Sequence, residues 1–172
     1  CGISGMFSSP DNSVVNQMVA ILEHRGPDGS GVWFDESISL GHNRLSIVDI
    51  HGSQQPIIGN SNTVLIANGE IYNHLDLRSK LNYNWKTSGD SEVILALHEK
   101  YAKNVAKVGD INHTDWVKQL NGMFSFALWD SENQELILAR DSLGIKPLVR
   151  TIIDGSLLFA SEMKAFHAHE SY

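Results

Sequence analysis

Sheets covered by helices, an α+β fold, are what the order of apolar runs in this 172-residue chain predicts. Short apolar runs closed by Gly, Asn, Asp or Ser recur along it, and strands joined by such short turns pair antiparallel. Between them lie segments whose apolar residues return at three-to-four spacing, each a helix with one face to bury against a sheet. No repeat, low-complexity run or linker divides the chain, so residues 1–172 read as one domain.

The elements follow in order. Residues 2–7 are apolar and Gly-punctuated, a buried strand. A helix is predicted over 14–24, with Asn12 and Ser13 as N-cap candidates and Val14, Val15, Met18, Val19, Ile21 and Leu22 as its buried face. Arg25-Gly26-Pro27-Asp28-Gly29 breaks it, and 30–35 and 37–43 read as two strands around a tight acidic turn. A polar loop over 51–62, containing Gln54-Gln55-Pro56, leads to a strand at 63–67 that runs straight into Asn68-Gly69-Glu70.

The second half begins with a helix over 72–81, with Leu75, Leu77 and Leu81 as contacts. After a turn at 87–90, a stronger helix spans 91–103 and buries Val93, Ile94, Leu97 and Tyr101. The polar stretch 104–115 reads as a loop or a broken helix. Strands at 122–130, 135–140, 146–153 and 156–160 and a helical turn at 162–168 complete the chain.

Composition excludes several functions. A net charge of −7 offers no Lys/Arg cluster to a nucleic-acid backbone. No apolar run nears the ~20 residues of a membrane-spanning helix. A single cysteine cannot form an internal disulfide and fits a reducing compartment, so a cytoplasmic location is expected. The eight histidines lack metal-ligand spacing, and neither a Gly-x-x-x-x-Gly-Lys-Ser/Thr loop nor a Gly-x-Ser-x-Gly elbow is present, so no metal site is expected.

The chemistry gathers on Cys1, which carries both a thiol and an α-amine in the sequence as it stands. A thiol reacts as thiolate, and an amine of pKa about 7.7–8.0 is a base suited to making it, so nucleophile and base can share one residue. An end left by processing, including a lipidated one, is the competing reading. Asn68 and the Gly69 N–H can point two donors at one oxygen, as an oxyanion hole requires, or can form a plain Asn-Gly turn. Arg44 can fork onto a carboxylate or serve a structural ion pair. Asp90 can cap a helix or bind an ammonium group.

The ordered set of motifs is far more specific than its members. Cys1-Gly2-Ile3, His24-Arg25-Gly26-Pro27-Asp28, Gly41-His42-Asn43-Arg44-Leu45-Ser46-Ile47-Val48-Asp49 and Asn68-Gly69-Glu70-Ile71-Tyr72-Asn73-His74 come first. Ser88-Gly89-Asp90-Ser91-Glu92, Leu120-Asn121-Gly122-Met123-Phe124, Ala139-Arg140-Asp141-Ser142-Leu143-Gly144-Ile145-Lys146-Pro147 and Phe159-Ala160-Ser161-Glu162 follow. Over essentially its whole length the chain resembles the class II glutamine amidotransferase domain of glutamine-hydrolysing asparagine synthetases.

That resemblance implies an N-terminal-nucleophile hydrolase fold, a four-layer αββα sandwich of two mainly antiparallel sheets. It implies that Cys1 attacks the side-chain amide of glutamine, that Asn68 and Gly69 stabilise the oxyanion, and that Arg44 holds the substrate carboxylate. Glu70 and Asp90 would hold its ammonium, the main chain of Leu45, Ser46, Ile47 and Val48 would line the pocket, and Arg25 would support the site. No cofactor is implied here; ATP and Mg are expected only in a synthetase domain or partner subunit that receives the ammonia, and a homo-oligomer is compatible. A donor domain for another acceptor, and a glutaminase-like binding module without turnover, are the alternatives. Three departures stand out: Gly89 replaces a serine frequent in relatives, the stretch 103–116 is long, and no synthetase domain follows Tyr172, as in a glutaminase half or a free-standing donor.

Overall fold

The computed structural model describes residues 1–46, 52–101 and 114–172. The chain forms β1 (Gly2–Phe7), α1 (Asn12–Ile21), β2 (Gly29–Phe34), β3 (Ile38–Arg44), the short β4 (Ile57–Ile58), β5 (Thr63–Ile71), α2 (His74–Lys80) and α3 (Glu92–Tyr101). β6 (Gly122–Asp130), β7 (Glu135–Arg140), β8 (Val149–Ile153) and β9 (Ser156–Ala160) follow, with 3-10 helices at Glu23–Arg25, Asp115–Gln119 and Met163–Ala168.

Among the described residues the strands make two sheets, one in the order β2-β3-β1-β9-β8 and one in the order β4-β5-β6-β7. Every strand pair is antiparallel, as the short connections predict. Three apolar clusters separate four layers. Ile3, Leu40, Ile66, Trp129 and Phe159 fill the space between the sheets. Val15, Met18, Leu22 and Phe166 join α1 and the C-terminal 3-10 helix to the outside of the first sheet. Leu77, Val93, Leu97, Trp116 and Phe126 join α2, α3 and the 3-10 helix at Asp115–Gln119 to the outside of the second. The αββα sandwich implied by the resemblance is the fold found.

The differences from the sequence reading are local. Asp11, not Asn12 or Ser13, caps α1, its carboxylate accepting the Ser13 and Val14 N–H groups at 2.8 and 3.3 Å. The last predicted strand pair shortens because β8 begins at Val149, residues 145 and 146 being drawn into a loop whose N–H groups bond Asp141. In α2, Leu77 and Leu81 are buried but Leu75 is 70% exposed. The α3 helix is buried all round from Glu92 to His98, not along one stripe, because the sheet, α2 and the Asp115–Gln119 helix cover it on several sides. The predicted loop at 104–115 lies almost wholly outside the described residues.

Candidate functional site

Cys1 stands at the head of β1, the central strand of its sheet, with β3 on one side and β9 on the other. Its Sγ accepts the Leu45 N–H at 3.3 Å and lies 3.6 Å from the Leu45 carbonyl oxygen, so the thiol sits against the end of β3. Arg25, in the 3-10 turn after α1, donates from Nε to the Cys1 carbonyl at 3.0 Å. Its Nη1 holds Glu162 Oε1 at 2.7 Å. His24 Nε2 at 3.1 Å and Lys164 Nζ at 3.3 Å also contact this carboxylate, and these contacts, with the Arg25 bond foremost, keep the Glu162 carboxyl down at about 2.

The α-amine is tuned in the direction a base needs. Partial burial, then the charges of Arg25 and Lys146, lower it from 8.0 to about 6, with Asp28 opposing. Near pH 7 the amine is therefore mostly unprotonated while the peptide carbonyl of the same residue is clamped.

Across the cleft from β1, the Asn68-Gly69 pair belongs to β5 itself. Asn68 pairs with Ser125 and Gly69 with Phe124, so the Asn-Gly turn is not formed and the strand runs on to Ile71. Gly69 has φ +146°, and a Cβ there would overlap the Met123 carbonyl oxygen, so only glycine fits. Asn68 is 2% exposed, and its Nδ2 donor is buried with no partner among the described residues. A buried unpaired amide donor costs roughly 1–3 kcal/mol, the kind of penalty met at sites prepared for a ligand.

Asp90 does not cap α3. Its Oδ2 accepts the Ile71 N–H at 2.6 Å, which fixes the carboxylate beside the end of β5. Buried Glu92, the first residue of α3, instead holds the preceding loop, accepting from Lys86 N, Thr87 N and Thr87 Oγ1 at 2.8 Å each.

Cys1, Arg44, Leu45, Asn68, Gly69, Glu70 and Asp90 line one cleft. It carries both charge signs, Arg44 and Lys146 against Glu70 and Asp90, which suits a zwitterionic ligand with a further polar group facing Cys1. Ser46 does not line it, because its N–H is committed to Asp28 Oδ2 at 2.7 Å. Ile47 and Val48 lie outside the described residues.

Sequence reasoning passed over Ser53, Gln55 and Lys146, which also line the cleft. Lys146 lies within a quoted motif, and its charge beside an apolar turn was the available signal. Ser53 and Gln55 lay in a loop with no periodicity to single them out. The Ser53 hydroxyl fills the space that a Cβ on Gly89 would occupy, so the serine absent at 89 is matched by one from another segment.

A family model described as the glutamine amidotransferase domain matches residues 1–172. Glutamine-hydrolyzing asparagine synthetase 1 of Bacillus subtilis is 36% identical, over 96% of this chain and 26% of that protein. Asparagine synthetase B of Escherichia coli is 39% identical, over 96% and 29%. Asparagine synthetase 2 of Arabidopsis thaliana is 40% identical, over 96% and 28%, so this chain spans only a minor part of the curated relatives it matches. The allosteric regulatory enzyme of purine biosynthesis superposes with a TM-score of 0.80 at 21% identity, over 98% of this chain and 43% of that one. The glutamine phosphoribosylpyrophosphate amidotransferase of B. subtilis gives 0.74 at 21%, with the same coverage. At that identity these two structures establish the fold alone.

Proposed function

This chain belongs to the glutamine amidotransferase domain family, and we propose that it hydrolyses the side-chain amide of glutamine with Cys1 as nucleophile. One observation carries the reading: a thiol and its own α-amine share a cleft with a buried amide donor on Asn68 that has no partner among the described residues.

Cys1 Sγ attacks the amide carbon as its proton passes to the α-amine, which at a pKa of about 6 is free to accept it at neutral pH. The carbonyl oxygen becomes an oxyanion that Asn68 Nδ2 and the Gly69 N–H receive; one such donor is worth about 10²–10³ in rate. The α-ammonium returns the proton to the leaving nitrogen, the C–N bond breaks, and ammonia departs from a γ-thioester. Water then adds to the thioester with the amine as base, the C–S bond breaks, and glutamate and the thiol are regenerated.

The charges divide the rest of the substrate between them. Arg44 takes the α-carboxylate as a fork, and Glu70 and Asp90 take the α-ammonium. Leu45 donates its N–H to the sulfur, which favours the thiolate. The hydrolysis needs no metal or cofactor in this domain. ATP and Mg belong to an acceptor domain or subunit, and the names and identities of the synthetase relatives support asparagine synthesis as the destination of the ammonia.

The test is glutamate release from glutamine by this chain beside Cys1→Ala. Release that the substitution abolishes is expected. Equal release from both proteins rules out Cys1, and none from either rules out turnover by this domain alone.

A further inference from the structure

Among the described residues, the short strand β4 leaves part of β5 without a strand partner on one edge. Ile57 pairs with Leu65 and Ile58 with Val64, and the Gly59 N–H donates to the Thr63 carbonyl at 2.8 Å. Extending this register sets residue 55 opposite Ala67, whose N–H and C=O face that edge, while Asn68 faces β6. The main chain cannot continue there as a strand. The Gln55 carbonyl, which would have to face Ala67, is turned against Gly31, where any Cβ would overlap it.

The Gln55 side chain makes the missing pair instead. Its Oε1 accepts the Ala67 N–H at 2.6 Å, and its Nε2 donates to the Ala67 carbonyl at 3.2 Å. A primary amide presents one acceptor and donors much as a peptide group does, so it substitutes for a strand residue. The same carbonyl lies 3.1 Å from Nε2 of His42, which reaches across from β3 in the facing sheet. Burial pushes His42 down to about 3, so it is neutral and its Nε2–H is the donor. Ala67, the residue before Asn68, is thus pinned from its own sheet edge and from the opposite sheet.

We propose that Gln55 is a positioning residue for the oxyanion donor Asn68, its side-chain amide replacing the strand that β4 fails to supply and holding the end of β5 so that the Asn68 amide faces Cys1. This rests on the reading of Asn68 as an oxyanion donor. A donor displaced by even about 1 Å loses much of its effect on the transition state, while substrate held by Arg44, Glu70 and Asp90 is little affected.

The experiment compares two ligands in the intact protein. An aldehyde analogue of glutamine adds reversibly to the thiol: the S–C bond forms, the proton moves to oxygen, and the hemithioacetal oxygen occupies the oxyanion position. Glutamate binds without forming that centre. Gln55→Ala is expected to weaken the aldehyde about 10- to 100-fold and glutamate by no more than about twofold, with kcat falling and KM nearly unchanged. Gln55→Glu, which keeps the acceptor for the Ala67 N–H, is expected to fall between Gln55→Ala and the wild type. Asn68→Ala, as reference, should show the same selective loss. Equal weakening of both ligands, or none, overturns the proposal and marks Gln55 as merely structural or idle. Wild-type protein that does not capture the aldehyde on Cys1, or Asn68→Ala that captures it normally, overturns the oxyanion reading itself, a result visible without any Gln55 variant.

Discussion

Arg25 touches Cys1 through the backbone and not through the thiol: its Nε bonds the Cys1 carbonyl at 3.0 Å. The guanidinium therefore acts in two ways, as a clamp on Cys1, the proposed nucleophile, and as a positive charge that helps lower the amine to about 6 after burial. If the Cys1 amine is the base, as proposed, it works only unprotonated, so kcat/KM should be full above that value and fall as pH drops through about 6. Arg25→Met removes one cause of the lowering, and the acid limb should move up toward 8, with partial recovery of rate at alkaline pH. A pH–rate profile whose limb stays in place contradicts this. Because the folded state disfavours the ammonium, stability should also decline as pH falls from 8.0 through about 6.

Gly69→Ala tests the strained end of β5. The added Cβ meets the Met123 carbonyl at a φ of +146° that L-residues rarely adopt. A loss of about 2 kcal/mol or more is expected in chemical denaturation, together with a fall in kcat. Wild-type stability for this variant contradicts the steric account.

Gly89 and Ser53 form a matched pair. Gly89→Ser introduces a Cβ into the Ser53 hydroxyl, and a higher KM for glutamine is expected. Ser53→Gly in the same chain clears the space, so the double variant should bind better than Gly89→Ser alone. Additive penalties in that double-mutant cycle show that the two side chains do not compete.

Asp141 holds the loop that carries Lys146 to the cleft. Its carboxylate accepts the N–H groups of Phe124, Leu143, Ile145 and Lys146 at 3.0–3.2 Å. Burial alone raises its pKa, and these donors outweigh that and keep the carboxyl below its usual range. Asp141→Ala strands several of them at once and should cost about 2–3 kcal/mol by thermal or denaturant unfolding, Asp141→Asn less. An unchanged midpoint for the alanine variant refutes the anchoring role.

How far the site was legible differs from residue to residue. Asn68-Gly69 is an Asn-Gly pair that fits a hairpin turn equally well. What makes it a strand end is pairing with Ser125 and Phe124, some 55 positions away in sequence. Asp90 has the look of a helix cap, yet its partner Ile71 lies on another element. Gln55 had no signal at all, because its role depends on a register between two strands that no local pattern contains.

Residue type and spacing alone determined the α+β class, the antiparallel pairing and most element boundaries, and singled out Cys1 as a candidate centre of the chemistry. Those follow from periodicity and from what a thiol beside an amine can do, both carried within a few residues. Tertiary structure alone decided which Asn68 donor is left unpaired, which way Asp90 turns, how Ser53 fills the space beside Gly89 and how Gln55 completes a sheet edge. Each is a contact between segments distant in sequence, and the competing local readings cost too little to be ruled out until the packed layers remove them.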